Sequence, residues 1–561
     1  MSVSRRDPTP RRDGDPAPLT AGTVGPKEMT GVDPLEPTLV SYFRAFSPAP
    51  DWDELCTWPP DVFALSNLVL DHTEAYRFAV SPHEGRRWPP TPDWNQRVCG
   101  AAQQWRLAAP SGRSDLIPDE VRQQWDILTR YQDMPLSDVR HGRGAELCAA
   151  LLTLHAIADE ACRFLGTESD QPFEHRAWRL LDDHGSLSRI SPARVRIVPK
   201  THFPTRGITI RSFSRYLALS YETVGLTWRR FKSTFPPFAT ETDRRDYNAL
   251  LLPWPFHIAG RSFRPVHRPV DMDPQAYGFF EFAPGVALDM SHVARLLEAA
   301  RNEIERVDAL ILPEAAVEPG EIPPLEAVLA EHGVRYLFAG VRESAKIDRF
   351  GRNYLHLGVL TSQGWECYEQ TKHNRWCLDG NQIRQYHLTR ALEPTRQWWE
   401  AIDLPERTVQ IIDVGGGATT VPLICEDLAR MDEVSDLLRR LGPTMIITVL
   451  LDGPQLAGRW SGRYASVLTD DPGSAVLTLT SFGMATRSRP PGKPRSRIVA
   501  MWNDARTGLH ELELARGASA ILLTASEGTT RGWTADGRHH NIPELVLSEV
   551  RQLRHPGASS V

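Results

Sequence analysis

Three short segments in the second half of the chain each combine an apolar strand with a side chain that can do chemistry. The segments are Leu310–Ala315 (LILPEA) with Glu314, Tyr368–Trp376 (YEQTKHNRW) with Lys372, and Val421–Leu428 (VPLICEDL) with Cys425. In each case the polar residue comes at the exit of the strand. Because α/β sheets place reactive groups at the carboxyl ends of their strands, the three segments predict one shared site.

A thiol, a carboxylate and an ammonium form a coherent set for attack on a carbon electrophile. A free thiol has a pKa of about 8.5, so at neutral pH it needs a base before it can attack. A glutamate can take the thiol proton and later return it to a departing amine. A lysine, aided by a backbone N–H beside the nucleophile, can stabilise the oxyanion. This chemistry requires no metal ion or organic cofactor.

Strands and helices that could position these residues follow one another from about residue 270 onward. The helix predicted over Val293–Val307 is apolar on one face and charged on the other. Val409–Val414 and Thr419–Ile424 predict a hairpin that turns at Gly415–Gly417. Such alternation is typical of an α/β domain. The other predicted strands are Tyr277–Phe282, Ala309–Leu312, Tyr336–Ala339, Tyr354–Leu360, Met445–Leu450, Ala475–Thr480 and Ala520–Thr524.

The first half of the chain has a different pattern. Residues 1–37 are rich in proline and poor in apolar side chains, which predicts a disordered tail. Residues 38–270 predict a mostly helical domain, and Ala145–Leu165 has apolar residues on nearly every side, as in a buried helix. The proline-rich segment Pro265–Pro274 predicts a connector. We therefore expect a boundary near residue 270 and an α/β domain over 271–555.

One segment of the helical half has the residue spacing of a DNA-binding motif. Ser214–Val224 (SRYLALSYETV) matches the small-residue and leucine pattern of a helix-turn-helix. A plain helical hairpin with solvated arginines is the competing and favoured interpretation. The net charge of −6 also argues against nucleic acid as the main partner. The basic residues around the segment are Arg206, Arg211, Arg215, Arg229, Arg230 and Lys232.

Composition limits the class of protein. The 561 residues are 41% hydrophobic and 24% charged, which excludes a wholly disordered or fibrous chain. The seven cysteines include no short CxxC pair, so we expect neither a disulfide framework nor a zinc site. We expect the protein to be located in a reducing cytoplasm. The longest apolar runs, such as Met445–Leu451, are far shorter than the ~20 residues that span a bilayer. We expect no membrane association and no secretory signal.

The ordered set of strand-Glu, strand-Lys and strand-Cys, with a hairpin before the cysteine, resembles the nitrilase or carbon–nitrogen hydrolase superfamily over residues 272–550. The resemblance implies an αββα sandwich and a triad in which Glu314 is the general base, Lys372 stabilises the oxyanion and Cys425 is the nucleophile. It implies hydrolysis of a non-peptide C–N bond, in an amide or a nitrile, through a thioester. It also implies a homodimer or larger homo-oligomer.

The resemblance leaves a second carboxylate unassigned. Family members often have another glutamate after the lysine, and the candidates here are Gln382 and Glu393. With Gln382 in that place the site would have lost a carboxylate, whereas Glu393 would be chemically sound at a long spacing. The backbone N–H of Glu426 is the expected partner of Lys372 in the oxyanion site.

A protein without turnover is the alternative. In that interpretation the nitrilase-like domain binds a small molecule or a partner, in a regulatory or interaction protein of bacterial defence or one that contacts DNA through the helix-turn-helix. Acyl transfer to an acceptor other than water is a third interpretation. Among the remaining thiols, Cys148 and Cys162 are predicted core residues, while Cys367 and Cys377 flank Lys372 and are candidates to line a pocket.

Overall fold

The computed structural model describes residues 36–554 except for 48–50, 82–86, 141–143, 164, 166–170, 205–206, 222–223, 232–244, 268–271, 347–348, 414–417, 431–433 and 490–493. Nearly all of the predicted tail and the Gly415–Gly417 turn therefore lie outside the described residues. Thr38–Val561 form one compact unit.

Helices dominate the first part of this unit and are spaced among strands in the second. No helix in the described ranges is long and apolar enough to cross a membrane. The helices are α1 (Leu39–Phe46), α2 (Trp52–Leu55), α3 (Pro59–Thr73), α4 (Trp94–Ala108), α5 (Asp119–Arg130), α6 (Leu136–Arg140), α7 (Ala145–Ala161), α8 (Pro172–His184), α9 (Met290–Arg301), α10 (Ile322–Glu331), α11 (Gly380–Gln385), α12 (Asp436–Leu441), α13 (Trp460–Asp470) and α14 (Phe482–Arg487).

The strands lie mainly in the second part of the unit. They are β1 (Arg196–Pro199), β2 (Leu217–Ser220), β3 (Gly225–Arg230), β4 (Arg245–Leu251), β5 (Phe263–Val266), β6 (Tyr277–Phe282), β7 (Ala309–Val317), β8 (Tyr336–Glu343), β9 (Arg352–Thr361), β10 (Gly364–Thr371), β11 (Cys377–Leu378), β12 (Gln397–Glu400), β13 (Thr408–Asp413), β14 (Thr419–Ile424), β15 (Met445–Leu450), β16 (Ala475–Thr480), β17 (Ile498–Asp504), β18 (Gly508–Glu513), β19 (Ala520–Trp533) and β20 (His539–Leu553).

Two seven-stranded sheets form the centre of the molecule. The first has the strand order β10-β9-β8-β7-β4-β19-β20, and the second has the order β18-β17-β16-β15-β14-β13-β3. A continuous apolar core joins them, in which Ala309 and Ile311 of the first sheet lie in one cluster with Ile447 and Leu477 of the second. The smaller sheets are β1-β2 and β11-β12-β6-β5.

Helices cover the outer faces of both sheets. On the first sheet, Leu310 of β7 packs in one cluster with Leu296 of α9 and Leu325 of α10. On the second sheet, Val421 of β14 and Val476 of β16 share a cluster with the N-terminal helices. The central strands β7, β15 and β16 are consequently buried along their whole length, as expected for strands covered on both faces. The four layers confirm the predicted α/β class and αββα sandwich.

The N-terminal half is mostly helical, as predicted. Helix α7 (Ala145–Ala161) is buried almost throughout because its apolar residues leave no polar face for solvent. The predicted hairpin is also present: β13 and β14 pair antiparallel, with Ile412 opposite Thr420. The remaining predicted strands correspond to β6, β7, β8, β9, β15, β16 and β19.

The sheets do not follow the predicted boundary at residue 270. Strand β3 pairs parallel with β13 at the edge of the second sheet. Strand β4 lies inside the first sheet, between β7 and β19. Both strands precede residue 270, so the segment predicted to be mostly helical supplies two strands of the sandwich. A division of the unit into separately folding parts stays a prediction.

Both interpretations of Ser214–Val224, the favoured helical hairpin and the helix-turn-helix, are wrong for the described residues of this segment. Leu217–Ser220 form β2, which pairs antiparallel with β1. All four residues of β2 are buried, so the leucine and alanine spacing that imitates a helical pattern reflects a short core strand. Of the basic residues around it, Arg211 binds Asp471 at 2.7 Å and Arg215 is buried, while Arg206 and Lys232 lie outside the described residues.

Candidate active site

Glu314 lies in a bulge of β7. Leu312 pairs with Ala339 and Val317 pairs with Val341, so residues 313–316 together face Gly340 alone. A Cβ at Gly340 would lie 2.5 Å from the Cα of Glu314, so only glycine allows this close approach. Ala315, the next residue, has a left-handed φ of 54°. The bulge and the left-handed residue redirect the chain where a regular strand would continue, and they fix the direction of the Glu314 side chain.

Lys372 follows the end of β10 and its side chain is buried between two carboxylates. Its Nζ lies 2.7 Å from Glu314 Oε1 and 2.6 Å from Glu400 Oε2. Its backbone N–H donates to the carbonyl of Asn353 at 3.1 Å. The two carboxylates compensate the charge of the ammonium, which lowers the free-energy cost of burying it completely.

Asn353 and Glu400 complete a closed ring of hydrogen bonds around Lys372. The Asn353 amide donates to Glu314 Oε1 at 2.8 Å and to Glu400 Oε1 at 2.7 Å. Glu400, at the end of β12, also accepts the backbone N–H of Trp376 at 3.2 Å. Asn353 therefore links the two carboxylates that hold the lysine, and each carboxylate is fixed by both Asn353 and Lys372.

Cys425 follows the end of β14 and begins a single 3₁₀ turn, Cys425–Ala429. Its φ of 51° is left-handed, a conformation that costs a non-glycine residue about 1–3 kcal/mol and that concentrates at functional sites. Two residues further, the Asp427 carboxylate accepts the His373 backbone N–H at 3.2 Å and the Asn374 amide at 2.9 Å. Asp427 thereby joins the cysteine turn to the loop that carries Lys372.

The site is closed to solvent. The exposed fraction is 0% for Glu314, 1% for Lys372, 2% for Cys425 and 5% for Glu400. Burial raises the pKa of the Cys425 thiol well above its usual range; the charge of Glu314 raises it further, while that of Lys372 lowers it. The thiol therefore holds its proton in the resting protein and needs an adjacent base to release it.

The carboxylates and the lysine shift one another in the expected directions. Burial raises the pKa of Glu314; Lys372 opposes this shift and the charge of Glu400 reinforces it. Burial alone would lower the pKa of Lys372, but Glu314 and Glu400 outweigh it, so the pKa is raised well above its usual range. Lys372 is consequently a permanent cation, and Glu314 is a carboxylate with enhanced proton affinity, which suits a general base.

The segment that follows β15 contacts the second oxygen of the Glu314 carboxylate. The backbone N–H of Leu451, directly after β15, donates to Glu314 Oε2 at 2.6 Å. The adjacent Asp452 is held by Arg459 at 2.7 Å, by the Trp460 indole at 2.9 Å and by the hydroxyl of Tyr386. Both oxygens of the Glu314 carboxylate are thus occupied, and its orientation is set by groups from three strands.

Of the six residues predicted for the site, Glu426 directly follows Cys425 in the 3₁₀ turn, whereas Gln382 and Glu393 lie elsewhere. Glu314, Lys372 and Cys425 come together. The Glu426 carboxylate pairs with Arg430 at 3.2 Å, and burial raises its pKa. Gln382 instead caps α11, accepting the Asp379 backbone N–H at 3.1 Å. Glu393 is half exposed and pairs with Arg396 at 3.1 Å.

The second carboxylate is Glu400, which the sequence reasoning missed together with Asn353. Glu400 lies 28 residues after Lys372, beyond the segment in which a second glutamate was sought. One signal was available: Gln397–Glu400 (QWWE) has the same pattern of an apolar strand that ends in a charged residue. Asn353 is a buried polar residue within the apolar strand β9, and such a residue needs a buried partner.

The remaining thiols have no part in this site. Cys148 and Cys162 are buried core residues, and none of the seven cysteines, which all lie in the described part of the chain, forms a disulfide. Cys367 is exposed and its thiol donates to Glu326 at 3.1 Å. With His356 these two residues form the one cluster in the described ranges whose donor set could hold a metal ion, with ligand atoms within 4.8 Å of one another.

No known family model matches the sequence, and no curated protein is detectably similar to it. Solved structures of nitrilase superfamily members are similar to the chain over about half of its length. The Saccharomyces cerevisiae protein Nit3, of branch 10 of that superfamily, has 10% identity and a TM-score of 0.29, with 53% of this chain and 90% of Nit3 covered. A Helicobacter pylori carbon-nitrogen hydrolase has 9% identity and a TM-score of 0.28, with 53% and 89% covered.

A larger protein is similar in part. The glutamine-dependent NAD+ synthetase of Acinetobacter baumannii has 11% identity and a TM-score of 0.28; the match covers 50% of this chain and 45% of the synthetase. The chain thus spans less than half of that protein. Identities near 10% and TM-scores below 0.3 do not determine what this chain does, and the geometry around Cys425 has to support that inference.

Proposed function

We propose that this protein is a hydrolase of a non-peptide C–N bond, in an amide or a nitrile, with Cys425 as its nucleophile. The observation that supports this most is the buried ring of Glu314, Lys372, Asn353 and Glu400, in which the charges of Glu314 and Lys372 act on the Cys425 thiol. A salt bridge that served stability alone could be replaced by apolar side chains at little cost. The position of this ring beside the left-handed Cys425 turn favours a catalytic role instead.

In the first half of the reaction, the thiol attacks the carbon of the substrate. Glu314 accepts the thiol proton, which frees the sulfur electron pair to form the new S–C bond. The Lys372 ammonium and the backbone N–H of Glu426 stabilise the negative charge that develops on the carbonyl oxygen or nitrile nitrogen. For an amide, Glu314 then returns its proton to the departing amine as the C–N bond breaks, and a thioester remains on Cys425.

In the second half, water replaces the amine. Glu314 takes a proton from the water as the water attacks the thioester carbon, and it returns that proton to the Cys425 sulfur as the C–S bond breaks. Glu400 takes no proton in this scheme. It holds Lys372 in place with Asn353 and adds a negative charge that keeps the ammonium protonated. Every step uses groups of this chain and water.

Turnover by the Cys425→Ala variant tests this function. Wild-type protein should release ammonia or an amine from at least one member of a panel of amides, nitriles and glutamine. The variant should keep the wild-type melting temperature and lose all measurable turnover. A variant that hydrolyses the same compound undiminished would exclude Cys425 as the nucleophile.

A binding protein without turnover is the second candidate, and the closed site favours it. Cys425 exposes only 2% of its surface and its thiol holds its proton. In that case compounds from the same panel should raise the melting temperature of the wild-type protein and of Cys425→Ala equally, with no product formed by either. Product formation by the wild-type protein rejects this candidate.

A further inference from the structure

A cavity of about 560 Å³ lies where the N-terminal helices meet the turn of the β19–β20 hairpin. Helix α8 contributes Trp178 to its wall and strand β3 contributes Trp228. Lys200 and Arg215 line it from the segments beside β1 and β2. Cavities of about 300–1,000 Å³ are the usual size of small-molecule sites.

This cavity is separate from the Cys425 site. Thr419, the first residue of β14, lines the cavity, whereas Cys425 follows the last residue of the same strand. A strand rises about 3.3 Å per residue, which places the two about 20 Å apart. None of Glu314, Lys372, Glu400 and Cys425 lines the cavity.

Two buried cations on the cavity wall have no carboxylate partner in the described part of the chain. The Lys200 ammonium donates to the carbonyls of Arg211 at 2.5 Å and Ser214 at 3.1 Å, and to the Ser214 hydroxyl. The Arg215 guanidinium donates to the carbonyls of Thr201 at 2.5 Å and Asn541 at 3.3 Å. Burial lowers the pKa of Lys200 to about 7. A buried cation without an opposite charge is costly.

Arg538, on the same wall, differs from Lys200 and Arg215 because it has carboxylate partners. Its guanidinium forms ion pairs at 3.0 Å with Asp159, Glu160 and Asp536, all of them buried. The chain therefore provides acidic partners for a buried arginine where that arginine is structural. The hydrogen-bond partners of Lys200 and Arg215 are neutral oxygens, although the charge of Asp159 acts on both cations and the wall also includes Glu160 and Asp413. Neither cation forms an ion pair in the described part of the chain, which leaves its charge available to a ligand.

Three of the side chains that line the cavity carry a donor without an acceptor. The indole N–H groups of Trp178 and Trp228 and the Nε–H of Arg215 are buried and have no hydrogen-bond partner among the described residues. These side chains are 6%, 9% and 6% exposed. All three groups can donate and cannot accept. Buried polar groups are nearly always satisfied, so the three point to a ligand rich in acceptor oxygens.

We propose that this cavity binds an organic oxyanion, a phosphate or carboxylate carried on a small organic body. The oxygens of the anion would accept from Arg215, Lys200 and the two indoles. The organic body would lie against the apolar part of the wall, which includes Leu165, Pro199 and Pro543. The site is independent of the hydrolase proposal, because none of its groups takes part in that chemistry.

Pairs of one anionic and one neutral compound, tested on the full chain, show whether binding requires a negative charge on the ligand. AMP is compared with adenosine, and phenylacetate with 2-phenylethanol, by thermal shift and isothermal titration calorimetry, with inorganic phosphate as a third anion. At least one organic anion should bind and raise the melting temperature, while its neutral counterpart should not; inorganic phosphate should bind more weakly. Failure of both organic anions to bind, or equal binding by the neutral compounds, would overturn the proposal.

Matched variants locate the binding. Trp228→Phe removes one unpartnered N–H and keeps an aromatic ring, and it should weaken binding of the anion roughly tenfold. Trp125→Phe removes an equally unpartnered, buried indole N–H outside the cavity and should leave the affinity unchanged. Lys200→Met removes the cation and should abolish binding of the anion. It tests the site independently if Trp228→Phe folds poorly.

Cys425→Ala should bind the anion like the wild-type protein, which separates this site from the catalytic one. Unchanged affinity in both cavity variants, or loss of binding in Cys425→Ala, would contradict the proposed location.

Discussion

Lys372 is held by two carboxylates, Glu314 and Glu400, and both raise its pKa. Burial and the charge of Glu314 raise the pKa of the Cys425 thiol by more than Lys372 lowers it, which favours the protonated thiol. In the proposed reaction, Cys425 stays protonated until Glu314 takes its proton, while Glu400 keeps the lysine charged and in place.

At this scale we predict that Glu400→Gln lowers turnover by about 10²-fold or more. An amide has one acceptor oxygen for two donors, Lys372 and Asn353, and its own NH₂ group would face one of them. Lys372 would lose its fixed position. Steady-state kinetics checks this, with Glu393→Gln as the matched control because Glu393 is a half-exposed glutamate outside the ring. Equal activity of Glu400→Gln and wild type would show that Glu400 has no role.

Sequence reasoning identified the three residues that follow apolar strands and missed the two that complete the ring. Glu314, Lys372 and Cys425 share a recognisable pattern, in which a buried strand runs directly into a polar residue. Asn353 and Glu400 belong to the site through β9 and β12, and the sequence alone does not show which strands meet there. Gln382 and Glu393 lie closer to Lys372 along the chain but not in space.

Among the elements, the bulge of β7 has the greatest influence on the site. Four residues of β7 face one residue of β8, and the close approach depends on Gly340. The sequence LILPEA predicts the strand and its exit. It does not predict the bulge, because the bulge arises from the pairing of two strands and from a glycine more than twenty residues away.

We predict that Gly340→Ala moves Glu314 and lowers turnover by about 10²-fold, because displacing a catalytic group by about 1 Å costs that much. The added methyl group would also destabilise the fold by about 1–3 kcal/mol through overpacking. Gly320→Ala is the matched control, since no atom lies within 4 Å of a Cβ at that position. Kinetics and thermal melting measure both effects. Wild-type turnover in Gly340→Ala would mean that the bulge does not position Glu314.

At the scale of the whole molecule, the N-terminal half is part of the sandwich. Its helices form the outer layer on the second sheet, and it supplies β3 and β4. The β19–β20 hairpin reaches back to α7, where Arg538 pairs with Asp159. Sequence periodicity separates helical from strand-rich segments well. It does not reveal that strands from before residue 270 join sheets formed after it, since that depends on long-range pairing.

A fragment comprising residues 271–561 should therefore fail to fold cooperatively. It lacks β4, which divides the first sheet and leaves one edge each of β7 and β19 unpaired, and it exposes the apolar outer face of the second sheet. Circular dichroism during thermal melting measures this. The fragment 38–561 keeps every strand and should melt in one transition. A single sharp transition in the 271–561 fragment would show instead that residue 270 is a true domain boundary.

The proposed reaction requires that Cys425 forms a covalent acyl intermediate. Intact-mass spectrometry of the full chain, quenched with acid after brief incubation with amides, nitriles and glutamine, tests it directly. We expect a mass increase equal to the acyl group of at least one substrate, located on the Cys425 peptide and absent in Cys425→Ala. Turnover without any adduct on Cys425, or the same adduct in Cys425→Ala, would contradict it.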